Sequence, residues 1–156
     1  MASKKREKKK YVPRDSTKCL FKTQPWRLNA VFDPLLAIVH QLERDGTVDV
    51  SANGTPMFKD VVDGYWYDSA YAIMGVVDAY EIHEKRAGVT IDLSPLRLIA
   101  TKLQNDQGIT DMDVQQARSC FERMRKAAMS MTLGYAAELI RDTQIQEAAD
   151  KLRHAT

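Results

Sequence analysis

Hydrophobic positions recur at helical spacing through most of this chain, and the longest such run covers residues 64–88. Its apolar stripe follows steps of three and four residues and consists of Trp66, Ala70, Ile73, Val77 and Tyr80. Asp68 or an earlier neighbour caps the start, and Gly88 is placed for a left-handed end. Because apolar residues cover most of its circumference, we expect this helix to lie at the centre of the fold.

Two further helices are predicted from proline and glycine positions. Asp33 is a good N-cap, Pro34 fits a first helical turn, and Gly46 ends the pattern that begins there. Ser94 and Pro95 give a second start of the same kind. The apolar residues predicted to face inward are Leu35, Ile38, Val39 and Leu42 in the first of these helices and Leu96, Ile99 and Leu103 in the second.

The last two helices carry the clearest periodicity. One begins at Thr110 or Asp111, with Asp113 in its electropositive first turn. Its inward stripe is Val114, Ala117, Phe121, Met124, Ala128 and Met131. The other begins at Thr132, and its inward residues are predicted to be Leu133, Ala136, Ala137 and Ile140.

A short β-hairpin is predicted after the first helix. Val48 and Val50 alternate with polar residues before the turn pair Asn53-Gly54, and a return strand follows at residues 57–58. The predicted fold class is therefore all-α, a bundle of about five helices with a small β-hairpin insert and a disordered basic N-terminal arm. We divide the chain into an arm at residues 1–24 and a single helical domain at residues 25–156.

Charge is distributed very unevenly along the 156 residues, although the formal net charge is only +2. Residues 1–14 carry seven basic residues and one acidic residue, whereas residues 33–92 carry four basic and eleven acidic residues. No apolar run is long enough for a membrane span, and the basic N-terminus lacks the apolar segment of a secretory signal. We expect a soluble protein of the bacterial cytoplasm, without a membrane partner.

The basic arm is the strongest binding signal in the sequence. A dense row of cations neutralises phosphates without reading bases, so we predict binding to nucleic acid or a ribonucleoprotein. The predicted nucleic-acid-binding residues are Lys4, Lys5, Arg6, Lys8, Lys9, Lys10, Tyr11 and Arg14.

The acidic middle of the chain supports an alternative interpretation. A rigid acidic surface can occupy the basic groove of a protein that handles nucleic acid, so the chain would be an inhibitor of such a host defence or regulatory factor. The predicted protein-binding residues are then Asp60, Asp63, Asp68, Asp78, Glu81 and Glu84.

The aromatic run Tyr65-Trp66-Tyr67, with Tyr71 after it, has two interpretations. Exposed rings would form a stacking platform for single-stranded bases. Acidic residues flank the run and repel phosphate, so we favour a place in the core with one ring facing outward.

Recognisable catalytic chemistry is missing from the sequence. Glu81 and His83 are two residues apart and point in different directions from a helix, so they cannot share a metal. Cys19 and Cys120 are isolated and predict two reduced thiols rather than a disulfide. We predict no catalytic residues, no metal and no cofactor, and an enzyme whose site assembles across the sequence ranks third.

The overall layout resembles small uncharacterised accessory proteins of bacterial temperate phages and prophages. The resemblance is carried by KKREKKKYVPR, PWRLNAVFDPLLAIVHQLERDGTV and DGYWYDSAYAIMGVVDAYEIH. It implies no activity and transfers no functional residue, but it is a context in which small binders and inhibitors of host defence occur. We also predict a homodimer, because the apolar faces at residues 64–88 and 114–131 exceed what five short helices can cover.

Overall fold

The computed structural model of this chain describes residues 16–61 and 63–154. Within that part the predicted fold class is confirmed, since five α-helices enclose one core beside a small antiparallel sheet. The elements are α1 (Pro25–Asp45), β1 (Asp49–Val50), β2 (Pro56–Lys59), β3 (Trp66–Asp68), α2 (Ser69–Ala87), α3 (Ser94–Gln104), α4 (Asp111–Ala128) and α5 (Leu133–His154). Among these residues, none of the helices combines the length and apolar character needed to cross a membrane.

Helix α2 is the central helix, as the sequence predicted. It packs against α1, α3 and α5, and β2 and β3 cover its beginning. Ile73 and Val77 of α2 are almost completely buried. The helix ends at Gly88, which is left-handed with a φ of 65°, as is Gly46 at the end of α1 with a φ of 72°. The Tyr80 hydroxyl donates a 2.7 Å hydrogen bond to the Met124 carbonyl, which fastens α2 to α4.

Asp68 caps the central helix, as one of the predicted starts had it, but the helix predicted for residues 64–67 was wrong. Residues 66–68 form β3, and α2 begins at Ser69 with the Asp68 carboxylate accepting a 3.0 Å hydrogen bond from the Tyr71 N–H. Phe58 pairs with Tyr67 in the antiparallel register of β2 and β3. Aromatic residues suit strands as well as helices, so pairing with β2 decided the outcome at a place where spacing alone indicated a helix.

The predicted start of the first helix was also wrong. Helix α1 begins at Pro25 and continues through Pro34, which lies inside it. Leu28 and Phe32 extend the buried stripe backwards in the same steps of three and four. Their burial holds the helix together, although Pro34 has no N–H for a hydrogen bond to the preceding turn.

Helices α3 and α4 differ little from prediction. Ser94 is the first residue of α3 rather than its cap, and its N–H and hydroxyl donate to Asp92 at 3.2 and 2.6 Å. Thr110, one of the two predicted starts, caps α4 and forms a reciprocal capping box with Asp113. The whole predicted apolar stripe of that helix is buried, which confirms the inward face from residue 114 to residue 131.

The inward face predicted for α5 was partly wrong. Ala137 and Ile140 are exposed, whereas Leu139 and Thr143 are buried. Helix α5 packs mainly on α2 and on the segment before α1, so only a narrow stripe of it is covered.

Residues 17–24 pack against the helical body, within the part of the chain assigned to the arm. Two single 3₁₀ turns lie in this segment, of which Ser16–Lys18 packs on α5 and Phe21–Thr23 packs on α1. The Phe21 N–H donates to the Met131 carbonyl at 3.1 Å, and the Leu133 N–H donates to the Cys19 carbonyl at 2.9 Å. Phe21 is buried, so it anchors this segment on the helical body.

Candidate protein-binding surface

The predicted nucleic-acid-binding residues all lie outside the described residues. They are Lys4, Lys5, Arg6, Lys8, Lys9, Lys10, Tyr11 and Arg14. Residues 1–15 contain seven basic and two acidic residues, which leaves sixteen basic against nineteen acidic residues in the rest of the chain. The part that folds into the bundle therefore has a formal charge of −3, opposite in sign to the segment that precedes it.

An acidic strip lies along one side of the contact between α2 and α5. Helix α2 contributes Asp78 and Glu81, and α5 contributes Glu147 and Asp150, around one shallow depression. Two basic residues lie near these four acids: Arg97, which pairs with Glu81 at 3.1 Å, and Lys85, which lines the depression. We call the four acidic residues Asp78, Glu81, Glu147 and Asp150 the acidic strip; with Arg97 and Lys85 included, the formal charge of this surface is still negative.

Asp78 is the member of the acidic strip most affected by its surroundings. Its side chain is half-buried, and burial followed by the charges of Glu81 and Glu147 raises its pKa above the ordinary value. Asp150 raises that pKa further, while Arg97 lowers it. The fold holds these like charges near Asp78, and an incoming cation relieves their repulsion.

The strip brings together only two of the six predicted acidic residues. Asp68 caps α2, and Asp63 accepts hydrogen bonds from the Tyr65 N–H at 2.8 Å and the Tyr67 hydroxyl at 2.5 Å. The remaining predicted acids, Asp60 and Glu84, lie in the turn after β2 and near the end of α2. Sequence reasoning missed Glu147 and Asp150, because nothing in the local pattern indicates which face of α2 the last helix would meet.

The core interpretation of the aromatic run was wrong. Tyr65, Trp66 and Tyr67 are 69%, 50% and 43% exposed, and Tyr71 is 56% exposed. The rings of residues 65–67 lie outward because β3 and the turn before it are on the surface, and Tyr71 lies on an exposed side of the first turn of α2. Asp63 bonds directly to Tyr67, so a phosphate beside these rings would meet a carboxylate, and the patch does not favour single-stranded nucleic acid.

An apolar groove of about 350 Å³ lies next to the acidic strip, and Thr143 and Glu147 line both. Its floor is formed by small side chains of α2, and α1 and α5 form its two walls. We define the apolar groove by the lining residues Leu28 and Val31 of α1, Ala72, Gly75, Val76 and Ala79 of α2, and Ala136, Leu139, Ile140 and Thr143 of α5. Val31 and Ile140 are 43% and 53% exposed, so the walls are open to solvent.

Tyr71 and Glu147 connect the groove to the strip. Both line the groove, and the Tyr71 hydroxyl donates a 2.8 Å hydrogen bond to the Glu147 carboxylate. That hydrogen bond, together with the negative charge of Glu147, raises the pKa of the Tyr71 phenol. Glu147 is the one charged residue among those that line the groove in the described part of the chain.

His83 is half-buried and Cys120 is buried in the helical body. The His83 ring nitrogen Nδ1 lies 2.7 Å from the Tyr135 hydroxyl, and burial lowers the pKa of this histidine. Burial likewise raises the pKa of the Cys120 thiol, which keeps it protonated. No group of three His, Cys, Asp or Glu side chains among the described residues is placed to hold a metal ion.

Comparison of the chain with protein-family models, with curated proteins and with solved structures finds no match. The surface chemistry of the chain is therefore the basis on which a function is assigned to it.

Proposed function

We propose that this chain is a non-enzymatic binding protein with two parts of opposite charge. The helical body binds a positively charged partner protein through the acidic strip, and the basic arm binds nucleic acid or a ribonucleoprotein. From the layout resemblance we place it in the cytoplasm of a bacterial host as a phage or prophage accessory protein. An acidic body of this kind acts as an inhibitor when its partner's basic surface is the one that holds nucleic acid.

The observation that carries the proposal is the crowding of carboxylates around Asp78. Burial and the charges of Glu81 and Glu147 raise the pKa of Asp78, so the fold keeps these groups together against their repulsion. The carboxylates around Asp78 repel one another, so their charges do not stabilise the bundle. Its chemistry suits a ligand that brings lysines or arginines to it.

A pull-down from bacterial lysate tests which of the two parts captures a partner. The bait is the intact chain, and a strip variant carries Asp78→Asn, Glu147→Gln and Asp150→Asn. A matched variant removes the same charge elsewhere through Asp106→Asn, Asp111→Asn and Glu122→Gln, three exposed positions away from the strip. The expected result is a basic protein that survives nuclease treatment of the lysate, is lost with the strip variant and is kept with the matched variant.

The same experiment can contradict the proposal. Loss of every captured protein after nuclease treatment would show that the arm alone, through nucleic acid, is responsible. Equal capture by the strip variant would show that the acidic strip is not the binding surface.

The nucleic-acid half of the proposal is supported by the charge of residues 1–14, which contain seven basic residues and one acidic residue. Four to six phosphate contacts would give a slope of log affinity against log salt of roughly −3 to −5 on duplex DNA, at about −0.9 per phosphate. Replacing Lys8, Lys9 and Lys10 with glutamine should flatten this slope by about 2 to 3 units and weaken all sequences alike. Little affinity for duplex DNA, with a flat salt response, would remove the nucleic-acid half.

A further inference from the structure

We infer that the apolar groove between α1, α2 and α5 binds an amphipathic helix of the partner protein, with a basic residue of that helix placed against Glu147. This inference rests on the proposed function and names the structural class of the partner. The helix would insert its apolar face into the groove while its cations reach toward the acidic strip.

The floor of the groove is suited to close approach by another helix. Ala72, Gly75 and Ala79 are half-buried and line the groove, and their small side chains leave the backbone of α2 close to a ligand. A Cβ built on Gly75 would meet no atom within 4 Å, which shows that the space above it is open. The apolar walls offer contacts for side chains spaced three, four and seven residues apart on one face of a helix.

Charge selects the partner. Among the described residues, the groove is lined by one charged side chain, that of Glu147, and beyond it lie Asp78 and Asp150. A ligand helix that carried acidic residues at this end would be repelled, whereas one with Lys or Arg would pair with Glu147 and relieve the crowding at Asp78.

A second copy of this chain fits the groove less well than a basic helix. In a symmetric dimer the same patch of both protomers meets across the two-fold axis. The acidic strip and Glu147 of one protomer would then lie near their counterparts, and like charges would oppose each other.

A model peptide tests this inference with the intact chain. The probe is a fluorescein-labelled leucine–lysine peptide of about four helical turns, with leucines at the helical spacing i, i+3, i+4 and i+7. Its controls are a scrambled peptide of the same composition, a leucine–glutamate peptide of the same pattern, and an oligolysine of equal charge. Affinity is measured by fluorescence anisotropy at constant salt.

Two variants fill or alter the groove without disturbing the core. Gly75→Phe places a ring in the open space over α2. Gly108→Phe is its matched control, because a Cβ on Gly108 also meets no atom within 4 Å and Gly108 does not line the groove. Ile140→Gln, at an exposed wall position, is a second variant that does not depend on how Gly75→Phe folds. We expect Gly75→Phe and Ile140→Gln to weaken binding of the leucine–lysine peptide about tenfold or more, and Gly108→Phe to stay within about twofold.

The controls separate failure of this inference from failure of the proposed function. If the scrambled peptide binds as tightly as the patterned one, or if both groove variants bind it like the intact chain, the groove is not the site and only the strip remains. If oligolysine and both lysine peptides fail to bind, the proposed function fails as well. If the intact chain is a dimer by light scattering and Gly75→Phe makes it a monomer, a second copy occupies the groove and the inference is overturned.

Discussion

The Tyr71 hydroxyl donates a 2.8 Å hydrogen bond to the Glu147 carboxylate, joining the first turn of α2 to the later part of α5. The contact spans 76 residues of sequence and lies where the apolar groove meets the acidic strip. It holds Glu147 where its charge acts on both surfaces, since the same carboxylate raises the pKa of Tyr71 and of Asp78. A ligand with both an apolar face and a cation can therefore use the two surfaces together.

Neutralising Asp78 should stabilise the protein at neutral pH. Burial and like charges raise the pKa of Asp78 above 3.8, so its ionised form opposes folding and that penalty disappears as the pH falls toward 3.8. We expect Asp78→Asn to raise the Tm by a few degrees at about pH 7 and to have a much smaller effect at about pH 3. Thermal unfolding followed by circular dichroism at both pH values measures this difference.

Asp113→Asn is a control of opposite sign. A hydrogen bond from Lys102 and one from the Thr110 N–H hold the pKa of Asp113 below its ordinary value. Its charge therefore stabilises the fold at neutral pH, and this stabilisation is lost as the pH falls through the lowered pKa. The substitution should lower the Tm at about pH 7 and matter less at about pH 3. The same direction of change for both variants at neutral pH would contradict the electrostatic account of Asp78.

Gly134→Ala should loosen the N-terminal segment from α5. A Cβ at this position would lie 2.9 Å from the Thr17 carbonyl oxygen and 3.0 Å from the Thr17 Cβ, which is too close for either group. Replacing a helical glycine with alanine otherwise favours a helix by about 1 kcal/mol, but crowding of this kind costs about 1 to 3 kcal/mol. We expect lower stability and faster proteolysis before residue 25.

Gly75→Ala provides the matched case, because nothing lies within 4 Å of the added Cβ. It should leave stability unchanged or increase it by up to about 1 kcal/mol. If both alanine variants are equally stable, residues 17–24 are not held against α5 as described.

Pro34→Ala distinguishes the observed course of α1 from the predicted one. A proline inside a helix is about 3 kcal/mol less favourable than alanine, so the substitution should stabilise the protein by about 1 to 3 kcal/mol after local relaxation. Pro95→Ala is the control, because Pro95 lies in the first turn of α3, where proline is tolerated. Chemical denaturation measures the free energy of unfolding of both variants. A lower value for Pro34→Ala than for the unsubstituted chain would contradict a helix that begins at Pro25.

Sequence periodicity was enough to predict the helical bundle, because buried stripes such as that of α4 follow helix geometry directly. It was insufficient where two structures satisfy the same residues, as at Trp66 and Tyr67, which pair in a strand although their spacing suits α2. The helix start predicted at Pro34 was wrong for a related reason, because the packing of Leu28 and Phe32 outweighed the local preference of proline for a first helical turn.

The candidate site was predictable only in part. Asp78 and Glu81 lie three residues apart on one helix and therefore on the same face, so their proximity could be expected from the sequence. Glu147 and Asp150 reach them only through the packing of α5 on α2, and the apolar groove exists only because α1 and α5 diverge over small residues of α2. These relationships depend on tertiary geometry that no local pattern encodes.

Binding of labelled oligolysine is the most direct test of the claim that the body has a site for a basic partner. Anisotropy titrations compare the intact chain, the strip variant and the matched variant at increasing salt. The proposal predicts salt-dependent binding to the intact chain that the strip variant weakens about tenfold or more and the matched variant changes by about twofold or less. An equal loss in the two variants would show that only net charge matters and would contradict a binding surface on α2 and α5.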